Sequence, residues 1–217
     1  MQNPVYFVSG ILILSALTAC STPTEKSSKP SNSTPASVEP TPSSSTTSKS
    51  RLITKNVTDE WTQKPIPVKL FAQEGIPLTT YYPENDFIVE SGSSDEGTGI
   101  WFFSKLEGKK YEDAYVHIFL PNNPSTVEAM KKSVTRERGL METNQWQVKH
   151  QTQAVSLNWA KERIDFEQIK GNQAMMGTVY IGESQGKAFR VTEYFPADYG
   201  DGFAPRASIL LKELQLQ

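Results

Sequence analysis

From Asp113 to Leu120 the chain alternates. Ala114, Val116, Ile118 and Leu120 fall on one face, and Tyr115, His117 and Phe119 fall on the other. A period of two predicts a strand, and the large side chains of Tyr115 and Phe119 predict cover on both faces. Gly99–Ser104 holds the short apolar run Ile100–Phe103, which predicts a neighbouring buried strand. Ser91–Gly97, rich in Ser, Gly and acid, predicts the turn before it. A helix follows. Asn123-Pro124 offers a cap with Pro at the first helical position, and Ser125 with Glu128 offers a capping box in the next register. Val127, Met130 and Val134 keep helical spacing, and Gly139 predicts the stop. Ile164–Ile169 and Ala174–Ile181 predict further strands. Glu183–Gly186 predicts a tight hairpin into Lys187–Phe195, where Phe189, Val191 and Phe195 share one face. A final helix is predicted with Pro205 near its start and Ala207, Leu210, Leu211 and Leu214 as its apolar stripe.

Strands, helix, strands, helix is the order of an α+β domain, an antiparallel β-sheet with helices packed on it. The entry Leu78-Thr79-Thr80-Tyr81-Tyr82-Pro83 followed by Phe87, the central helix, the Gly186 hairpin and the closing apolar helix resemble the PsbP-type extrinsic proteins of photosystem II. The resemblance spans about residues 76–216. It implies an α/β/α sandwich and an association with a membrane protein complex, photosynthetic in that family. The family's metal-binding residues find no matching motif here.

The N-terminal third is different in kind. Residues 1–19 carry no charged side chain, and Val5–Ala19 is an apolar stretch thinned by Ser9, Gly10 and Ser15. That length suits a secretory signal better than a membrane span, which needs about 20 apolar residues. Leu17-Thr18-Ala19-Cys20 resembles the lipobox of bacterial lipoproteins, although no basic residue opens the segment. The resemblance implies that Cys20 receives a diacylglyceryl thioether and becomes the mature N-terminus, with the membrane as partner through that lipid. In residues 21–50, 22 of the 30 positions are Ser, Thr or Pro. Such a stretch buries too little to offset the entropy of ordering and reads as a disordered tether. The expected organisation is a signal peptide over 1–19, lipidated Cys20 and tether over 20–50, a lead-in over 51–75, and a globular domain over 76–217. An extracytoplasmic location follows, in the periplasm at an outer membrane if Ser21 is read as lacking an inner-membrane retention signal. The PsbP-type likeness implies the thylakoid lumen in a cyanobacterium.

Composition removes several function classes. Cys20 is the single cysteine, so no disulfide staples the fold. A formal net charge of −2 with interspersed signs offers no basic field for nucleic acid. No His-Glu-x-x-His, Gly-x-Ser-x-Gly or Gly-x-Gly-x-x-Gly motif occurs, so no catalytic residue and no cofactor is assigned. His117 reads as a packed histidine and His150 as an exposed one. Trp101-Phe102-Phe103 reads as core. Lys131, Lys132, Arg136 and Arg138 read as the solvated side of the central helix. The loop Asp198–Gly202 is the metal candidate. Asp198 and Asp201 offer oxygens to Ca²⁺ or Mn²⁺, but without calcium-hand spacing, and Asp201 equally suits a helix cap. The acidic turn Ser93–Gly97 is a second, weaker cation loop. The expectation is an accessory protein that acts by binding. The alternatives are a divalent-cation binder and a hydrolase assembled from distant residues such as Asp198, Asp201 and a histidine.

Overall fold

The computed structural model describes residues 51–217 apart from Trp61, Pro124 and Gln217. Cys20 and the Ser/Thr/Pro-rich run lie outside the described residues. The elements in chain order are β1 (Thr54–Thr58), β2 (Pro65–Ala72), β3 (Leu78–Tyr82), β4 (Phe87–Ser93), β5 (Gly97–Leu106) and β6 (Lys109–Pro121). They continue with α1 (Val127–Thr135), α2 (Leu140–Thr143), β7 (Gln147–Thr152), β8 (Ala160–Lys170), β9 (Gln173–Ser184), β10 (Lys187–Pro196), α3 (Gly200–Lys212) and β11 (Gln215–Leu216). Seven strands form one antiparallel sheet in the order β4-β5-β6-β10-β9-β8-β7, and β1-β2-β3-β11 form a second. The fold is α+β, as the pattern predicts.

The alternating strands give the large sheet two apolar faces. Ala114, Val116 and Ile118 of β6 and Phe189 and Val191 of β10 point to one face. There they meet Leu78 and Tyr82 of the small sheet and Phe203, Ala207, Leu210 and Leu211 of α3. On the opposite face Ile164, Phe166, Met175, Val179 and Ile181 pack under Met130 and Val134 of α1 and Met141 of α2. Trp146 stacks on Phe166 with centroids 4.0 Å apart. Fully burying one such side chain contributes about 1.5–3 kcal/mol, so these two layers hold the sheet from both sides.

Several expectations need correction. The lead-in over 51–75 holds β1 and β2. Asp59, in the turn after β1, is buried and takes an ion pair from Arg206 of α3 at 2.5 Å. Neither Asn123-Pro124 nor the Ser125/Glu128 box caps α1. Thr126 does, in an extended conformation, its hydroxyl accepting the Ala129 N–H at 3.1 Å. The Ser125 carbonyl is taken by the Ala188 N–H of β10, which holds the chain extended one residue longer. We expect Thr126→Ala to cost about 1 kcal/mol, read as a lowered urea midpoint with an unchanged slope. Gly139 does not stop α1, which already ends at the Arg136 C-cap; Gly139 is the N-cap of α2. Lys131 is not solvated along its length. Its ammonium lies 3.0 Å from the carboxylate of Glu162, a buried side chain of β8.

The Asp198–Gly202 loop is helical. Ala197–Tyr199 form a 3₁₀ turn, and α3 starts at Gly200, so Pro205 falls inside the helix. Burial explains the early start: Phe203 is 1% exposed, wedged against Phe195 at 4.9 Å and Phe87 at 6.2 Å. The Gln185-Gly186 hairpin forms as expected, with both residues at positive φ (52° and 73°) between Ser184 and Lys187.

Candidate functional site

Alternation that buries one set of side chains on β8, β9 and β10 exposes another set to the opposite face. Under α3 this second set is polar. Arg163, Asp165 and Glu167 lie at every second position of β8, and the register sets them beside Tyr180, Thr178 and Met176 of β9. Glu193 of β10 sits opposite Thr178 on the other side, and His150 of β7 sits opposite Asp165. One row therefore crosses four strands: His150, Asp165, Thr178, Glu193. Ala204, Ser208 and Leu211 of α3, with Leu157 and Phe195, line the same space. The space enclosed is an open cleft of about 570 Å³.

Asp165 is the hub of the row. Its Oδ1 accepts from Arg163 Nε and from Thr178 Oγ1, each at 2.8 Å. His150 Nδ1 lies 3.6 Å from its Oδ2. The imidazole is 63% exposed at the cleft mouth, so His150 is the exposed histidine that the sequence predicts. Deeper in, Glu193 is 8% exposed. Burial pushes its carboxyl up to about 7, against the hydrogen bond from Tyr180 and the positive charge of Arg163. Burial likewise raises the Tyr180 phenol well above its ordinary range, and the nearby Glu193 charge adds to this. The cleft thus joins a fixed ion pair at its mouth to a carboxyl at its floor that titrates near neutrality.

The candidates read from the sequence lie elsewhere. Asp198 borders a separate depression with Asn172, Gln173 and Ala174, and Asp201 sits in the first turn of α3. There its charge favours the helix N-terminus, but the N-cap is Tyr199. Neither aspartate is among the residues that line the cleft. Among the described residues no group of three or more His, Cys, Asp or Glu side chains is placed to hold a metal ion. His117 packs on the outer face, stacked on Trp101 at 4.3 Å and 5°. Burial, and then the Arg190 charge, hold it down at about 3, so it is neutral, and among the described residues its Nε2 has no hydrogen-bond partner. Phe102 is core, whereas Trp101 and Phe103 lie half-buried on the outer face.

Glu193, Tyr180, Thr178, Asp165 and Arg163 were not candidates from the sequence. A signal for two of them is visible there: Glu193 is the lone acid in the run Phe189–Phe195, and Arg163-x-Asp165 places two charges on one face of a strand.

Fold and site together define an α+β domain with an open, mixed-charge cleft. No family model matches the chain, and no curated protein matches it. Among solved structures, a protein of Bacteroides thetaiotaomicron is similar with a TM-score of 0.42 and 13% identity over 68% of this chain. The matched part is 48% of that protein, so this chain spans about half its length. The cyanobacterial PsbP protein of Synechocystis sp. PCC 6803 is similar with a TM-score of 0.42 and 11% identity, over 69% of this chain and 92% of that one. Likenesses this slight transfer no role.

Proposed function

We propose that this protein is a lipid-anchored, extracytoplasmic accessory protein that acts by binding, with the cleft beneath α3 as its contact surface. The observation that carries the reading is the convergence of side chains from four strands and one helix on a single open cavity. Concave sites with a few converging polar groups on apolar walls are the usual form of ligand pockets. The anchor is proposed from Leu17-Thr18-Ala19-Cys20. Among the described residues no helix is long and apolar enough to cross a membrane. Stable attachment takes more than one acyl chain, which diacylglyceryl transfer to Cys20 supplies. The proposed partner is a membrane protein complex, with the periplasmic side of an outer membrane as the setting that Ser21 favours. Ca²⁺ or Mn²⁺ at Asp198 and Asp201 is a lesser proposal, supported by those two carboxylates alone.

Three measurements test this reading. Mass spectrometry of the mature N-terminus is expected to find acylated Cys20, and Cys20→Ser is expected to move the protein from the membrane to the soluble fraction. A native chain that is unacylated and keeps residues 1–20 contradicts the anchor. A photo-crosslinker replacing Met176, which is 42% exposed at the cleft, is expected to trap a stoichiometric membrane partner. The same group replacing Leu106, 46% exposed and not among the cleft residues, is expected to trap none. Equal trapping at both positions contradicts the cleft as the contact surface.

A further inference from the structure

The charges around the cleft are matched except at one point. Lys149 holds Glu167 at 2.8 Å, and Lys212 of α3 turns to Glu60 at 2.5 Å. Arg163 and His150 share Asp165. Among the described residues Glu193 forms no ion pair, and its carboxyl is held by the Tyr180 hydroxyl. The unmatched charge at the floor is therefore negative when that carboxyl is ionised. Apolar side chains line the same cleft: Phe195, Leu157 and Leu211, together with Tyr180.

A neutral ligand leaves this charge unanswered, and an anion opposes it. A cation on an apolar arm answers both features, since methylenes pack on the walls while the charged head reaches a carboxylate. Resting on the reading of the cleft as a binding surface, we propose that it takes an alkylammonium group, from a free diamine or from a lysine side chain. The nitrogen seats on the Glu193 carboxylate, and the methylenes lie along Phe195, Leu157 and Leu211. Because burial raises Glu193 to about 7, an ammonium bound there holds it ionised. Binding in mildly acidic solution then releases a proton, and affinity rises as the pH passes upward through that value. The charged and titratable groups that line the cleft with Glu193 are Tyr180 of β9, Arg163, Asp165 and Glu167 of β8, His150 and Lys149 of β7, and Lys212 of α3. His150 and Lys149 are already engaged with Asp165 and Glu167.

The test uses the full-length chain in non-ionic detergent, titrated calorimetrically and followed by NMR at Thr178 and Tyr180. The probes are cadaverine, N-acetyl-lysine amide, glutarate, 1-hexanol, and CaCl₂ or MnCl₂. At least one amine is expected to bind, at least tenfold more tightly at pH 8 than at pH 5.5, and to shift both resonances. Binding by cadaverine supports a free amine as the source, and binding by the lysine amide alone supports a protein side chain. Glu193→Gln, a neutral match for the protonated carboxyl, is expected to abolish binding and the pH dependence while keeping the circular dichroism of the wild type. Amine binding that survives Glu193→Gln, or that ignores pH, overturns the proposal. Cleft shifts from glutarate, hexanol or a metal ion instead of an amine overturn the ligand class and leave the cleft standing as a binding surface. A cleft silent to every probe overturns the ligand class too, and trapping at Met176 then decides separately whether the surface binds a protein.

Discussion

Replacing Phe102 with alanine is expected to lower the free energy of unfolding by about 3–5 kcal/mol. Phe102 is 0% exposed and stands where the two sheets meet. Its ring meets Phe71 of β2 edge-on at 5.5 Å and Tyr82 of β3 at 5.4 Å. Truncation removes the transfer energy of a whole ring and leaves a void that rigid strands on both sides fill poorly. Single domains are stable by only about 5–15 kcal/mol, so the variant loses a large share of its margin. Urea unfolding followed by tryptophan fluorescence measures it. A loss below 1 kcal/mol shows that the small sheet does not depend on this contact.

The second large effect is one of pH. The Glu193 carboxyl has an ordinary value of 4.5 and sits at about 7 in the folded chain. Between those values the folded state holds the proton more firmly than the unfolded state. Stability from this group is therefore greatest below about pH 4.5, falls as pH rises toward 7, and is level above. The interval corresponds to about 3 kcal/mol. Glu162 acts in the opposite sense. Burial opposes its charge, but hydrogen bonds from Gln151, Lys131 and Gln153 outweigh burial and draw its carboxyl below the ordinary value. Its contribution is present above the ordinary carboxylate range and is lost in acid. The wild type minus Glu193→Gln difference isolates the first effect. Glu193→Gln is expected to gain stability relative to wild type at pH 8 and to gain little at pH 4.5. Parallel unfolding midpoints for the two proteins across that range refute the assignment.

β5, β6, β8, β9, β10 and the body of α3 were legible because their period is carried by strong apolar residues such as Val116, Ile118 and Val191; the edge strands β4 and β7 were not. Nor was the small sheet. Thr54–Thr58 is polar and Pro65–Ala72 opens with two prolines, so neither holds a pattern that stands without its partner. Their order comes from pairing with each other and from β3, which is information about register between distant segments. The same limit hid the cleft. His150, Asp165, Thr178 and Glu193 come from four strands and form a row only once the pairing is known. Asp198 and Asp201, three positions apart in the chain, form a pattern that is visible without any knowledge of pairing. The cap of α1 moved for a related reason: the Ser125 carbonyl was claimed by β10, a contact no local rule contains.

Arg51, where the described chain begins, lies beside the strand where it closes. Its guanidinium is 3.4 Å from Glu213 and 2.6 Å from the Thr79 hydroxyl, and Lys55 reaches the same glutamate at 2.8 Å. Among the described residues β1 pairs only with β2, through five residue pairs from Thr54–Lys69 to Thr58–Pro65. A pull applied to the described chain at Arg51 enters at this outermost strand. It meets the Arg51 clasp on Glu213 first, and then five rungs opened in turn, the second of them fastened again by Lys55. The strands that carry Asp165, Thr178 and Glu193 belong to the other sheet, so tension is spent on a sacrificial ribbon before it reaches them.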